Sequence, residues 1–283
     1  MRVFVYKGIK YLVLILWSAF VAGPFLWALS TSFKNDAAVV SGATYIPFVD
    51  FEPSLDGWKV LFHATEGVNI FGPFISSLVV TFVSSLVSLA LGTFAAYGLS
   101  RFTFRAGPLG NTDITFFFIS QRIITPVVLA IPYFLLLKMF RLLDTHVGLI
   151  LIYIAMLLPI VVWIMVDFFN NISTELDEAA LMDGCTPVEA FYKIILPECT
   201  PGLVVTGLLC FIFAWNDFFF AFTLTFADTQ LLPVSIVALN SSKVPWWSLS
   251  SSSLIAILPL VFLAIWLERY LTRGALLGAL KQT

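Results

Sequence analysis

The sequence is short of charge, histidine and cysteine, and each shortage excludes something. Charged residues make up 11% of the 283 positions, against about a quarter in ordinary globular domains. Hydrophobic residues make up 60%, more apolar surface than a soluble core of this size hides, so the bilayer is the solvent for most of the chain. Only two histidines are present, His63 and His146, far apart in sequence, which argues against a histidine-rich metal site. The three cysteines, Cys185, Cys199 and Cys210, have no CxxC spacing and make no secreted disulfide framework. The net charge of −2 gives no reason to expect nucleic-acid binding. No GxxxxGK[ST] loop occurs and no glycine is followed by lysine, so the chain has no P-loop with which to bind and split ATP.

What is present is a succession of long apolar runs. A spanning helix needs roughly 20 mostly apolar residues, and about six runs qualify, near 11–29, 74–99, 114–137, 147–166, 203–226 and 250–267. The first follows Arg2, Lys7 and Lys10 and is too long for a signal peptide; Pro24 and Trp27 lie where a small-residue cleavage site belongs. It reads as a retained span. The expected fold is all-α: a single polytopic bundle of about six transmembrane helices over 1–283, with a short cytoplasmic elbow.

Lysine and arginine set the orientation. With a cytoplasmic N-terminus, Arg2, Lys7, Lys10, Arg101, Arg105, Lys193, Arg269, Arg273 and Lys281 are inside, nine residues against five outside: Lys34, Lys59, Lys138, Arg141 and Lys243. Both termini are therefore expected inside. The outside loop near 227–249 carries Lys243, Pro245, Trp246 and Trp247, with aromatics suited to the headgroup level.

The largest inside segment, 170–202, is polar and acidic yet patterned. Ser173 or Thr174 can cap a short helix running to about Asp183. Gly184 stands where a residue past a helix end takes positive φ without steric cost. Thr186, Pro187 and Glu189 then read as N-cap, first helical residue and capping-box partner of a second helix. Val188, Phe191, Tyr192 and Ile195 give that helix one apolar face, and Pro197 ends it. Two short helices at an angle, with Glu175, Asp177, Glu178 and Asp183 facing a basic partner, suit a groove on another protein. An amphipathic elbow lying on the membrane fits the same periodicity.

The same residues carry a resemblance. Glu178-Ala179-Ala180, three residues, Gly184, nine residues, Ile194, one residue and Leu196-Pro197 is similar to the EAA signature of ABC importer permeases at every signature position. Leu142-Leu143-Asp144-Thr145 with Gly148-Leu149-Ile150, Trp215-Asn216-Asp217, Leu231-Leu232-Pro233-Val234 and the ending Arg269-Tyr270-Leu271 through Ala279 extend the likeness over roughly 70–283. They resemble the MalG-like branch, the carbohydrate-uptake permeases. The resemblance implies a coupling helix at Glu178, Ala179, Ala180, Asp183 and Gly184, continued by Ile194, Leu196 and Pro197, seated in a cleft of a cytoplasmic ATPase. It implies a second permease subunit, two ATPase subunits holding ATP and Mg, and an external solute-binding protein probed by the loop near 227–249. No cofactor is implied in this chain, and it is not itself an enzyme.

Arg122 lies in the third span, where an ionisable side chain costs at least about 2.5–3.5 kcal/mol if left in lipid. It lines a pathway, pairs with Asp217, or snorkels to the interface. Trp215, Asn216 and Asp217 in the fifth span pose the same question: a pathway wall with Trp215 stacked on a sugar ring, or an interface anchor. Pro126, Pro132 and Pro159 predict kinks. Gly92, Ala95, Ala96 and Gly98 predict a close helix contact. An ion-coupled secondary transporter is the competing reading; it wants paired intramembrane charges and inverted repeats, and only Arg122 and Asp217 lie within spans.

Overall fold

A computed structural model describes residues 2–40, 44–62, 70–105, 107, 109–241 and 246–280. The described residues are helical, apart from loops and one isolated bridge between Pro47 and Phe51. In chain order the helices are α1 Arg2–Ser32, α2 Asp36–Val40, α3 Asp56–Phe62, α4 Phe71–Arg101, α5 Asn111–Ser120, α6 Pro126–Met139, α7 His146–Asn170, α8 Glu175–Met182, α9 Pro187–Ala190, α10 Leu196–Glu198, α11 Thr200–Trp215, α12 Phe219–Leu224, α13 Leu232–Ser241 and α14 Trp246–Leu280.

Four helices are long and apolar enough to cross a membrane, within α1, α4, α7 and α14. The expected third span is not a straight helix, and the helix that opens the expected fifth is bent against the elbow before it. α5 and its 3₁₀ extension through Ile123 meet α6 at 94°, and the run Pro187–Glu198 meets α11 at 77°. Counting each bent pair as one span gives six. The first bend has a local cause. Pro126 disfavours the helical region for the residue before it, and both Ile124 (ψ 122°) and Thr125 (ψ 133°) are extended. The apolar run 203–226 is also interrupted: α11 stops at Trp215, and α12 starts only at Phe219. The breaks fall at polar residues and proline, Asn216 and Asp217 in one case and Arg122, Thr125 and Pro126 in the other, yet a run-length criterion averages over them because the flanking residues are apolar.

The chain forms two compact units, one of Met1–Phe74 with Ser235–Pro259 and one of Ile75–Val234 with Leu260–Thr283. In the first, α3 approaches the start of α14 at Gly57, where a Cβ would lie 2.9 Å from both Ser251 Oγ and Trp247 Cδ1. Lys34 is buried there. Its ammonium donates to the Thr44 carbonyl across 2.6 Å and lies 5.5 Å from the Phe51 ring centroid.

The second unit is organised around α7. Tyr153, Leu157, Val161, Met165 and Phe169, spaced four apart, are all fully buried, the stripe that a 3.6-residue period places on one face. With no hydrophobic drive between helices in lipid, close packing and hydrogen bonds must hold them. α4 provides the closeness: a Cβ at Gly92 would come within 2.5 Å of Val161 Cγ1. Nearer the end of α7, a Cβ at Gly202 of α11 would lie 2.6 Å from the Phe168 ring. The small residues expected to serve a helix contact do so at Gly92 and at Ala96, which is fully buried.

Candidate functional site: the elbow and the cavity at the bent helices

The two-helix elbow forms at 173–198. α8 runs to Met182 with Asp183 as its C-cap, and Gly184 adopts φ +86°. Ser173, rather than Thr174, supplies the side-chain acceptor at the start, receiving the Glu175 N–H at 3.2 Å. The second helix opens with the expected capping box: Glu189 accepts from the Thr186 N–H at 2.9 Å, and Thr186 Oγ1 accepts from the Glu189 N–H at 3.3 Å. The Thr186 backbone N–H, helped by the Lys193 ammonium, holds the Glu189 carboxyl down at about 2.

Pro197 does not end this helix. The chain passes through a π-helical turn, Phe191–Ile195, and continues to Glu198. Proline has no N–H to offer the carbonyl four residues back, and the wider turn before it absorbs the mismatch. The apolar face is split. Phe191 and Ile195 are buried in the core, whereas Val188 and Tyr192 are at least half exposed.

Among the signature residues, Glu178, Ala179, Asp183, Gly184 and Pro197 are exposed, Ile194 and Leu196 are half-buried, and Ala180 is buried. Leu181 and Met182 add exposed apolar surface, Met182 at 89%. The expected acidic cluster does not face outward as a set. Asp177 turns inward, 2.8 Å from Arg101 Nε, with 15% and 7% of the two side chains exposed. The Tyr97 hydroxyl donates to the same carboxylate across 2.8 Å. Arg101, one of the inside charges that orient the chain, is thus a partner of Asp177, which nothing in their spacing predicts.

The second feature is a cavity of about 690 Å³ at the bend of α5 and α6, lined by Gln121, Arg122, Tyr133, Phe213, Asn216 and Asp217 among others. Arg122 lies in the 3₁₀ turn Gln121–Ile123. Its guanidinium donates to the Met156 carbonyl at 3.3 Å and sits 5.3 Å from the Phe213 ring centroid. Asp217 is engaged elsewhere. It accepts from the Tyr153 hydroxyl at 2.8 Å and from the Phe220 and Ala221 N–H groups at 3.1 and 3.2 Å. The cavity thus brings Arg122 and Asp217 together without an ion pair, and Asp217 caps α12. Asn216 donates back to the Ile212 carbonyl at 2.8 Å. Trp215 does not line the cavity. It is buried, with its ring stacked on Phe211 at 5.8 Å and 11°, which leaves no face open for a sugar.

In the last expected outside loop, Lys243 and Pro245 lie outside the described residues. Trp246 is exposed, while Trp247 is buried beside Gly57 and presents no surface to a partner.

One organising residue was visible only as part of a motif. Asp144 sits at φ +57° and its carboxylate accepts the N–H groups of Phe226, Ala227 and Asp228 at 3.0 Å and of Thr229 at 3.1 Å. Burial pushes this carboxyl up, but the four backbone donors outweigh it and hold it below the usual range. No group of three or more metal-ligating side chains occurs among the described residues.

Comparison with known proteins agrees with this architecture. Residues 114–276 match the family of binding-protein-dependent transport system inner membrane components, and the chain belongs to it. Within that family it is 32% identical to a probable ABC transporter permease of Sinorhizobium fredii, over 91% of this chain and 90% of that one. It is 31% identical to the trehalose transport system permease SugB of Mycobacterium tuberculosis, over 91% and 92%. Its fold matches a chain of a bacterial ABC transporter involved in the import of the acidic polysaccharide alginate, with a TM-score of 0.76 at 22% identity, over 94% and 96% of the two chains. The chain is a membrane-spanning transport subunit.

Proposed function

We propose that this chain is the permease of an ATP-driven importer for a carbohydrate-type solute, a sugar, polyol or glycoside, and that its elbow is the surface on which a cytoplasmic ATPase docks. The carrying observation is the elbow itself. Two capped helices meet at a left-handed glycine, with Glu178, Asp183, Leu181, Met182 and Val188 exposed on it. A charged and apolar surface built on rigid short helices is suited to a groove of complementary charge. ATP and Mg reside on the partner. Closure of two ATPase subunits moves the elbow, and the spans alternate between inward- and outward-facing forms. A second permease completes the pathway, an external binding protein delivers the solute, and both termini are cytoplasmic.

The cavity at Arg122, Asn216 and Asp217 is this chain's part of the pathway. The bend brings Arg122 to the wall of this space, and non-helical backbone at membrane depth is tolerated where it lines such a cavity. The carbohydrate assignment draws on the transport roles in the names of its relatives, including SugB.

The test is reconstitution with candidate ATPase, partner permease and binding protein in liposomes. Glu178→Arg is expected to release the ATPase from the purified complex and stop ATP-dependent uptake while the permease still inserts. Normal uptake by that variant, or uptake by this chain alone without ATP, sinks the reading.

A further inference from the structure

We propose that Arg101 and Asp177 are the positioning residues through which displacement of the elbow reaches the membrane helices. The inference rests on the reading of 173–198 as the ATPase-docking surface.

Adjacent residues of α8 face opposite ways. Glu178 is exposed, and Asp177 is turned in against α4. The Asp177 carboxylate holds α4 at two points one turn apart, through Tyr97 at 2.8 Å and Arg101 at 2.8 Å. Arg101 also donates to the Ile172 carbonyl at 3.1 Å, just past the end of α7. One guanidinium therefore joins the end of α4, the exit of α7 and the first turn of the elbow, with no flexible segment between the docking face and α4.

Burial makes the arrangement informative. An apolar pair of similar volume commonly stabilises such a joint as well as a buried ion pair does, so stability alone is a weak reason for it. A charged pair differs in what its disruption costs: leaving either charge unpaired and buried is strongly unfavourable, so the pair resists separation. Tyr97 strengthens the joint from the aromatic side, its ring 4.7 Å from Phe191 of the elbow's second helix and 5.5 Å from Phe169 of α7. Further along α4, Gly92 touches Val161 with no side chain between the helices. A displacement received at Asp177 thus meets packed or ion-paired contact as far as the centre of α7.

The experiment uses the whole reconstituted transporter and reads three quantities: ATPase retained on the complex, ATP hydrolysed and solute taken up. Arg101→Met and Asp177→Asn are each expected to keep the ATPase bound and hydrolysing while uptake per ATP falls roughly three- to thirtyfold, the range over which residues between two sites modulate coupling. The double variant is expected to be no worse than either single one, since both act through one interaction. Tyr97→Phe, which keeps the ring and removes only the donor, shows a smaller loss in the same ratio and serves if the charge variants do not assemble. Unchanged uptake per ATP, additive losses, or loss of bound ATPase with an unchanged ratio overturns the proposal. Glu178→Arg separates the two ideas. If it releases the ATPase while Arg101→Met leaves the ratio intact, only the positioning role falls; if it changes nothing, the docking reading falls first.

Discussion

Tyr153 donates its hydroxyl to Asp217 across 2.8 Å, tying the buried face of α7 to the point where the fifth apolar run breaks. The same carboxylate caps α12 through the Phe220 and Ala221 N–H groups. A single side chain thus ties α7 to the start of the helix that follows the break.

Tyr153→Phe removes one donor from a half-buried carboxylate. Hydrogen bonds to charged groups contribute about 1.5–3 kcal/mol, and that much stability is expected to be lost. Asp217→Ala loses the cap as well as the pair and is expected to be the more damaging. Denaturant unfolding of the purified protein in detergent checks both; an Asp217→Ala variant as stable as the parent refutes the role.

Gly184 has φ +86° and open space around the position of a Cβ. The cost of substitution there is backbone strain alone, about 1–2 kcal/mol for an L-residue in the left-handed region. Gly184→Asn is expected to retain most uptake, Gly184→Val to lose most of it, and both to insert at parental levels. Equal uptake by the two variants counts against a requirement for positive φ.

The Glu189 carboxyl, held at about 2 by the Thr186 N–H and Lys193, is ordinarily near 4.5. A folded-state value below the unfolded one means that its contribution is complete above about 4.5 and is lost as pH falls toward about 2. Amide exchange at 186–190 is therefore expected to be independent of this carboxyl from neutral pH to about 5, and to accelerate below that beyond the intrinsic pH effect. In Glu189→Gln that extra acid dependence disappears.

Asp144→Ala leaves the N–H groups of Phe226, Ala227, Asp228 and Thr229 without their shared acceptor. Loss of a single such bond, at about 1.5 kcal/mol, corresponds to roughly tenfold faster opening. Exchange at 226–229 is expected to rise at least that much, with Asp144→Asn intermediate. Unchanged protection of these amides shows that something else holds the loop.

Much of this was legible in the residues. The Thr186–Glu189 capping box and the glycine turn at 184 depend on local chemistry, which spacing alone conveys, and they form as read. The membrane-spanning class followed from apolar run length. Pro126 marked the place of the first bend, and the polar run 197–202 separated the elbow from the fifth apolar run, but neither conveys the angle, 94° and 77°, which packing sets. Asp177 was hidden for another reason. Its partner Arg101 is 76 positions away, and only the fold decides whether a carboxylate on an acidic stretch faces water or an arginine. Trp215 shows the converse: a residue type suited to stacking on a ring of solute is instead stacked on Phe211.

The gathering of four amides on Asp144 also bears on how relatives of this chain can diverge. A residue inserted or deleted between Phe226 and Thr229 shifts those N–H groups off the carboxylate, so the length of that stretch is fixed by geometry. Changes in loop length should accumulate elsewhere along the chain, and a permuted or epitope-tagged version should avoid this turn.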